Sequence, residues 1–293
     1  MRRWLSIWLP ALRPKTLPAA AAPVVMGTAI AHGEGAFHAL AALAALSGAL
    51  LIQIGTNFAN DYFDFVKGAD TSARLGPRRA TAAGLASPAA MKRAFVLTFL
   101  ATLPVAVYLI ARGGVPIAVI GLLSIAAGVL YTGGPRPLGY LGLGDILVVV
   151  FFGPIAVAGT HYVQALEWSP TAIVAGLAPG LLSTGLLVVN NLRDVDTDRA
   201  AGKATLAVRF GRRFAKAEFA LAIVISAVLP MLLWLLGRTP AATLAASAVC
   251  LTGVPALVRV VRSRPGDALL TPLAATGRLL VLFSAAFAAG YLI

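Results

Sequence analysis

The chain has 293 residues, of which 59% are hydrophobic and 12% charged, and its mean hydropathy is +0.87. These values exclude an ordinary soluble domain and indicate an all-α integral membrane protein. The net charge of +13 is not read as a nucleic-acid signal, because the basic residues fall on one side of the predicted spans.

In chain order, the first fifteen residues start basic, but Pro10, Arg13, Pro14 and Lys15 interrupt the apolar run before a signal-peptide core forms. They are expected to lie at the interface, with Trp4 and Trp8 at headgroup level. Nine apolar stretches follow, at about 16–33, 36–58, 94–111, 113–131, 146–166, 170–191, 217–237, 239–258 and 269–292, each close to the ~20 residues a spanning helix needs. Together they predict a single transmembrane domain over 1–293. With the N-terminus inside, all but three of the 24 Lys and Arg residues fall on the inner side; Arg112 and Arg238 lie outside and Arg278 within the ninth helix. This asymmetry predicts an N-in, C-out topology and an inner face suited to anionic lipid headgroups. The single Cys250 excludes an intrachain disulfide. His32, His38 and His161 share no ligand spacing with an acid, so no zinc site is expected.

The two long inner connections, at about 59–93 and 192–216, both open on acids. Six of the eleven carboxylates belong to two patches: Asn57, Asn60, Asp61, Asp64 and Asp70, then Asn190, Asn191, Asp194, Asp196 and Asp198. Asn57 with Asp61, Asn60 with Asp64, and Asn190 with Asp194 and Asp198 are spaced four apart, so each set lines one helix face while Asp196 points away. Like carboxylates at that spacing repel. A hard cation reverses the repulsion, and Asp and Asn oxygens suit Mg²⁺ bridging to a substrate diphosphate. The metal ligands expected are Asn57, Asn60, Asp61, Asp64, Asn190, Asp194 and Asp198, with Asp61, Asp64, Asp194 and Asp198 as the catalytic carboxylates. Lys67, Arg74, Arg78, Lys203 and Arg209 lie nearby to bind the remaining phosphate oxygens. Asp and Asn also favour helix ends for local reasons, but two matching patches at membrane depth favour a functional reading.

NDYFDFVKGAD at 60–70 and NNLRDVDTDRAAGKATLAVRFG at 190–211 resemble the two aspartate-rich motifs of the UbiA superfamily of intramembrane prenyltransferases. The resemblance implies nine transmembrane helices around a central cavity. RPKTLPAA at 13–20, YTGGPRPLGYLGLGD at 131–145 and FFGPIAVAGTHYVQ at 151–164 are similar to one branch of it, the 1,4-dihydroxy-2-naphthoate polyprenyltransferases of menaquinone biosynthesis. One departure from the superfamily pattern is Gly68 at the position four after Asp64, which leaves the role of Asp70 open.

The resemblance implies transfer of a polyprenyl group from polyprenyl diphosphate to 1,4-dihydroxy-2-naphthoate, with loss of CO₂ and diphosphate, in the bacterial cytoplasmic membrane with the motifs on the cytoplasmic side. Departure of a diphosphate stabilised by Mg²⁺ and cationic side chains leaves an allyl cation. Arg13, Lys15 and Arg278 are candidates to hold the acceptor carboxylate. Tyr131, Phe151, Phe152 and Tyr162 could present π-faces to the cation. Another aromatic acceptor, such as 4-hydroxybenzoate or homogentisate, would fit the same metal motifs. A membrane transporter is the alternative of a different class, disfavoured because the acids cluster on one side.

Overall fold

The computed structural model describes residues 2–69 and 79–293, with side chains from residue 7 onward. Its elements are helices: α1 Arg2–Leu12, α2 Leu17–Gly33, α3 Ala39–Val66, α4 Pro88–Leu100, α5 Leu103–Leu130, α6 Gly144–Phe151, α7 Pro154–Ala165, α8 Pro170–Arg193, α9 Val195–Ala200, α10 Leu206–Leu235, α11 Leu244–Val249, α12 Val254–Arg262 and α13 Leu270–Tyr291. Side-chain caps and prolines mark their starts. Ser87 and Ser169 accept from Ala90 and Ala172, with Pro88 and Pro170 at the first helical positions, where the missing N–H costs nothing.

Among the described residues, seven helical stretches are long and apolar enough to cross a membrane. One of them, Pro88–Leu130, has 43 residues, about 65 Å of helix at 1.5 Å per residue and twice the ~30 Å of hydrocarbon it must cross. It doubles back at Gly114, whose φ of 66° breaks the helix. Gly55 faces Phe99 and Gly48 faces Val105, whereas Thr56 faces Gly128, so the two limbs run in opposite directions along α3. Counting this hairpin as two passes and adding the 17-residue α2 gives nine.

Several expected boundaries shift, each for a physical reason. α3 continues to Val66 instead of ending near residue 58. At 28 residues it is about 42 Å long, so its last turns carry Asn60, Asp61 and Asp64 out of the hydrocarbon while remaining helical. The fifth expected stretch is two half-helices, α6 and α7, interrupted at Phe152 and Gly153. The connection expected at 192–216 contains the short α9 and the first turns of α10, which bends at Gly211, φ 86°.

α8 is the centre of the bundle, packed against α10, α7, α6, α13 and α2. Met26, Ile30, Leu182, Phe219, Phe283 and Phe287 form its buried core. A second cluster joins α1, α3 and α4 through Ala11, Phe58, Met91 and Phe95; Trp8 meets Phe58 edge-on at 5.7 Å, which fixes α1 to the end of α3. Leu43, Val107, Leu122 and Leu235 point outward, as lipid-facing residues do.

Backbone approach of α8 to the broken helix depends on glycine. A Cβ at Gly180 would lie 2.4 Å from the Val149 carbonyl oxygen, and one at Gly176 would lie 2.8 Å from Pro154 Cα. Because the obstacles are backbone atoms, Gly176→Ala and Gly180→Ala should each destabilise the protein by about 1–3 kcal/mol, read as a lower unfolding temperature in detergent. Gly121→Ala, with no atom within 4 Å of its added Cβ, is the matched control. Equal behaviour of all three variants would refute the close-packing account.

Candidate active site

A cavity of about 550 Å³ lies between α2, α3, α5, α6, α7 and α8. Most of its wall is aliphatic, including Val24, Ile52, Leu109, Ile117 and Leu187, but at the motif end the lining becomes polar with Thr16, Gln53, Asn57, Asn60 and Asn190. One end is therefore built for a polar head and the rest for a hydrocarbon.

The first motif occupies the last turns of α3. Asn57 donates to the Leu12 carbonyl at 2.9 Å and to Thr16 Oγ1 at 3.1 Å, and Gln53 donates to the same Thr16 oxygen. These bonds tie the segment after α1 to the cavity neck. Asn60 accepts from Thr132 at 2.8 Å. Asp61 receives the backbone N–H groups of Ala80 and Thr81 at 3.0 and 3.1 Å. Asp64, almost wholly buried, accepts from Arg79 at 2.9 Å, from the Tyr140 hydroxyl at 2.9 Å and from Lys203 at 3.2 Å.

The second motif lies at the end of α8 and in α9. Asp194 forms a two-pronged pair with Arg193, at 2.7 and 2.6 Å. The Asp198 N–H donates to the Asp194 carbonyl at 2.8 Å, preserving the four-residue row across the helix junction. Asp196 is exposed and bonds Arg212 at 2.8 Å, although α8 and α9 are separate helices joined at Asp194. Asn190 lines the cavity and donates to the Leu186 carbonyl.

Lys203 bridges the two motifs, since it follows the second and binds an acid of the first. Its ammonium also lies 4.8 Å from the centre of the Tyr140 ring, and that of Lys67 lies 5.4 Å from it. Lys67 donates to the Gly134 carbonyl at 2.7 Å. Burial lowers its pKa, with Lys203 acting in the same direction and Asp64 opposing both. Arg209 donates to the Ala204 carbonyl and so braces the Lys203 turn. Asp70, Arg74 and Arg78 lie outside the described residues.

Two expectations are corrected. Tyr162 does not line the cavity: it stacks on Trp168 at 4.4 Å and donates to the Gly113 carbonyl at the far end of the bundle. Arg278 is exposed on α13 and absent from the cavity wall, as a snorkelling side chain would be. Tyr131, Phe151 and Phe152 do line it. Lys15 is exposed, whereas Arg13 is partly buried in a left-handed conformation, φ 53°, directly before the Thr16 and Asn57 network. Arg79, Tyr140, Gln53 and Thr132 are site residues that spacing did not identify. The available signals were the basic pair at 78–79 and the 131–145 stretch that contains Thr132 and Tyr140.

Among the described residues, no three His, Cys, Asp or Glu side chains are gathered closely enough to hold a metal ion. The donor chemistry nevertheless fits magnesium, since the converging groups offer amide and carboxylate oxygens. Asp64 and Asp194 are held by cations and Asp61 by backbone amides, so a metal would exchange some of these partners.

The chain belongs to the UbiA prenyltransferase family, which matches residues 20–273. A 1,4-dihydroxy-2-naphthoate octaprenyltransferase of Escherichia coli is 48% identical over 211 residues, 70% of this chain and 68% of that protein. One of Mycobacterium leprae is 37% identical over 282 residues, covering 96% and 94%. A UbiA homolog from Archaeoglobus fulgidus bound to GPP and Mg²⁺ shares the fold with a TM-score of 0.64 at 16% identity, over 96% of this chain and 99% of that one.

Arg79 and Asp64 form a buried ion pair, in which loss of one partner leaves the other insufficiently compensated. Arg79→Met and Asp64→Asn should each lower the unfolding midpoint, and the double variant should be no worse than the worse single one. Strictly additive losses in thermal unfolding would show that the two side chains do not act as a pair.

Proposed function

We propose that this protein transfers a polyprenyl group from polyprenyl diphosphate to 1,4-dihydroxy-2-naphthoate, releasing CO₂ and diphosphate and giving demethylmenaquinol. The observation that carries the acceptor is the identity of 37–48% to relatives bearing that activity in their names. The site agrees with it: a polar neck formed by two acidic motifs opens into an apolar cavity. The motifs and α1 face the cytoplasm of a bacterial cell in this reading, as the basic asymmetry of the chain requires.

The diphosphate lies at the motif end, where Asn57, Asn60, Asp61, Asp64, Asn190, Asp194 and Asp198 would hold Mg²⁺. When bound there, magnesium neutralises the diphosphate and stabilises its departure. Lys203 and Arg79, which bond Asp64, and Lys67 beside Tyr140 bind the phosphate oxygens that the metal leaves free; Arg74, Arg78 and Arg209 complete the set. The prenyl chain follows the aliphatic wall. Tyr131, Phe151 and Phe152 face the allylic carbons and stabilise their positive charge. Arg13, rather than Lys15 or Arg278, pairs with the acceptor carboxylate, because it lies beside the polar neck.

The acceptor and donor are tested together by mass analysis of products formed from dihydroxynaphthoate and prenyl diphosphates of several lengths. Prenylated naphthol lacking the carboxylate is expected, and exclusive prenylation of 4-hydroxybenzoate would overturn the acceptor. Activity should disappear with EDTA and return with Mg²⁺. Asp61→Ala and Asp194→Ala should each reduce turnover at least a hundredfold without preventing membrane insertion. Lys203→Met should raise the KM for prenyl diphosphate and leave that for the aromatic acid unchanged. A selective rise in the acceptor KM would exchange the two binding assignments.

A further inference from the structure

Asp145 belongs to neither acidic motif, yet it is only 4% exposed and its Oδ1 has no hydrogen-bond partner among the described residues. A buried carboxylate in this condition is destabilising and is retained where it has a task. It occupies the first turn of α6. Leu147, Val148, Phe151 and Phe152 of that half-helix line the cavity. Asp145 precedes Val148 by three residues and Phe152 by seven, so it extends the same face one turn toward the motif end.

Tyr131 connects this carboxylate with the cavity. Its ring lines the wall and fits between two glycines: a Cβ at Gly139 would lie 3.0 Å from the ring, and one at Gly144 would lie 2.7 Å from the phenol oxygen. The phenol oxygen is thus seated against Gly144, the residue before Asp145, and lies in the field of Asp145, Asp64 and Asp198 without a hydrogen bond to the free Asp145 Oδ1. Thr184, adjacent to the cavity-lining Ser183, bonds the Asp145 carbonyl at 3.4 Å and holds this turn against α8.

We infer that Tyr131 and Asp145 form a proton relay that ionises a hydroxyl of the aromatic acceptor, an inference that rests on the acceptor class proposed above. The hydroxyl proton passes to the Tyr131 oxygen while the phenol proton of Tyr131 passes to Asp145 Oδ1. The resulting aryloxide is a far better nucleophile than the phenol. Its ring carbon bearing the carboxylate forms the new bond to the allyl cation, and the bond to the carboxylate then breaks, returning its electron pair to the ring as CO₂ departs. The proton returns along the same path to give the quinol. No net proton is gained or lost, so a sealed carboxylate without exchange to water is sufficient. Tyr131 is the group that touches substrate, and Asp145 acts through it.

The test compares Asp145→Asn and Tyr131→Phe with the parent protein. Each should lower kcat about 10²- to 10⁴-fold, the range of general-base catalysis, without changing the KM for prenyl diphosphate. The double variant should lose no more than the worse single one, since the two act as a unit. Raising the pH should rescue both single variants, as the acceptor hydroxyl then ionises without help, while the parent stays flat. Glu218 is the other titratable group coupled to Asp145, and Asp64 and Asp198 are those coupled to Tyr131; all three are common to every variant. Asp145→Asn should also unfold at a temperature no lower than the parent, because it removes a buried charge whose Oδ1 has no partner among the described residues, and Asp145→Glu should restore part of the activity. Parent-like kcat in Asp145→Asn, a raised donor KM, or an unchanged pH profile would each overturn the relay. Failure of the parent to prenylate dihydroxynaphthoate would instead overturn the acceptor assignment.

Discussion

A carboxylate on a membrane-spanning helix has to be compensated, and the compensation of Asp64 organises this site. Three partners from three separate segments reach it: Arg79 before α4, Tyr140 before α6 and Lys203 after α9. None is close to Asp64 in sequence, so each bond closes a long loop and is supported by packing elsewhere. The acids of both motifs and their partners are gathered at one end of the bundle. The space left behind them can then remain apolar and dry.

That division also explains the distribution of small and large side chains. α8 is buried by neighbours on several sides, and glycines at 176 and 180 let the interrupted helix α6–α7 approach it at backbone distance. The interruption at Gly153 turns the α6 face toward the cavity while α7 packs against α2. The cavity lining continues past the interruption at Ile155, Gly159 and Val163 of α7, whose other side buries Val157 and Ala158 in the core. At the opposite end, Arg112 donates to the Val163 and Gln164 carbonyls at the terminus of α7, and Glu34 joins His161, Ser169 and Tyr291. These bonds close the bundle where no substrate charge is needed.

The spans were legible in the sequence because lipid imposes a single strong requirement, about twenty apolar residues, which survives whatever the helices pack against. The motif residues were legible for a related reason: Asn57, Asp61 and Asp64 are expensive where they are, and their spacing reveals a shared face. The partners were less visible. Tyr140 sits in a Gly- and Pro-rich connection that reads as a turn, and Arg79 is indistinguishable from Arg78 without coordinates. Tyr162 has the composition of a cavity aromatic, but its stacking on Trp168 is a contact between separate elements that periodicity cannot register. The extension of α3 through residue 66 was missed because hydropathy falls where the helix leaves the hydrocarbon, although its backbone hydrogen bonds continue.

The same reasoning separates two uses of negative charge in this fold. Asp61 accepts from backbone amides, and Asp64 and Asp194 from cationic side chains. Asp145 sits in the first turn of α6, where nothing in the described residues satisfies its Oδ1. An environment that leaves a carboxylate unsatisfied makes it ready to take a proton, whereas one that saturates it makes it a poor base. In the proposed reaction the saturated acids serve the diphosphate and the unsatisfied one serves the acceptor hydroxyl, and separate elements keep the two kinds from sharing partners.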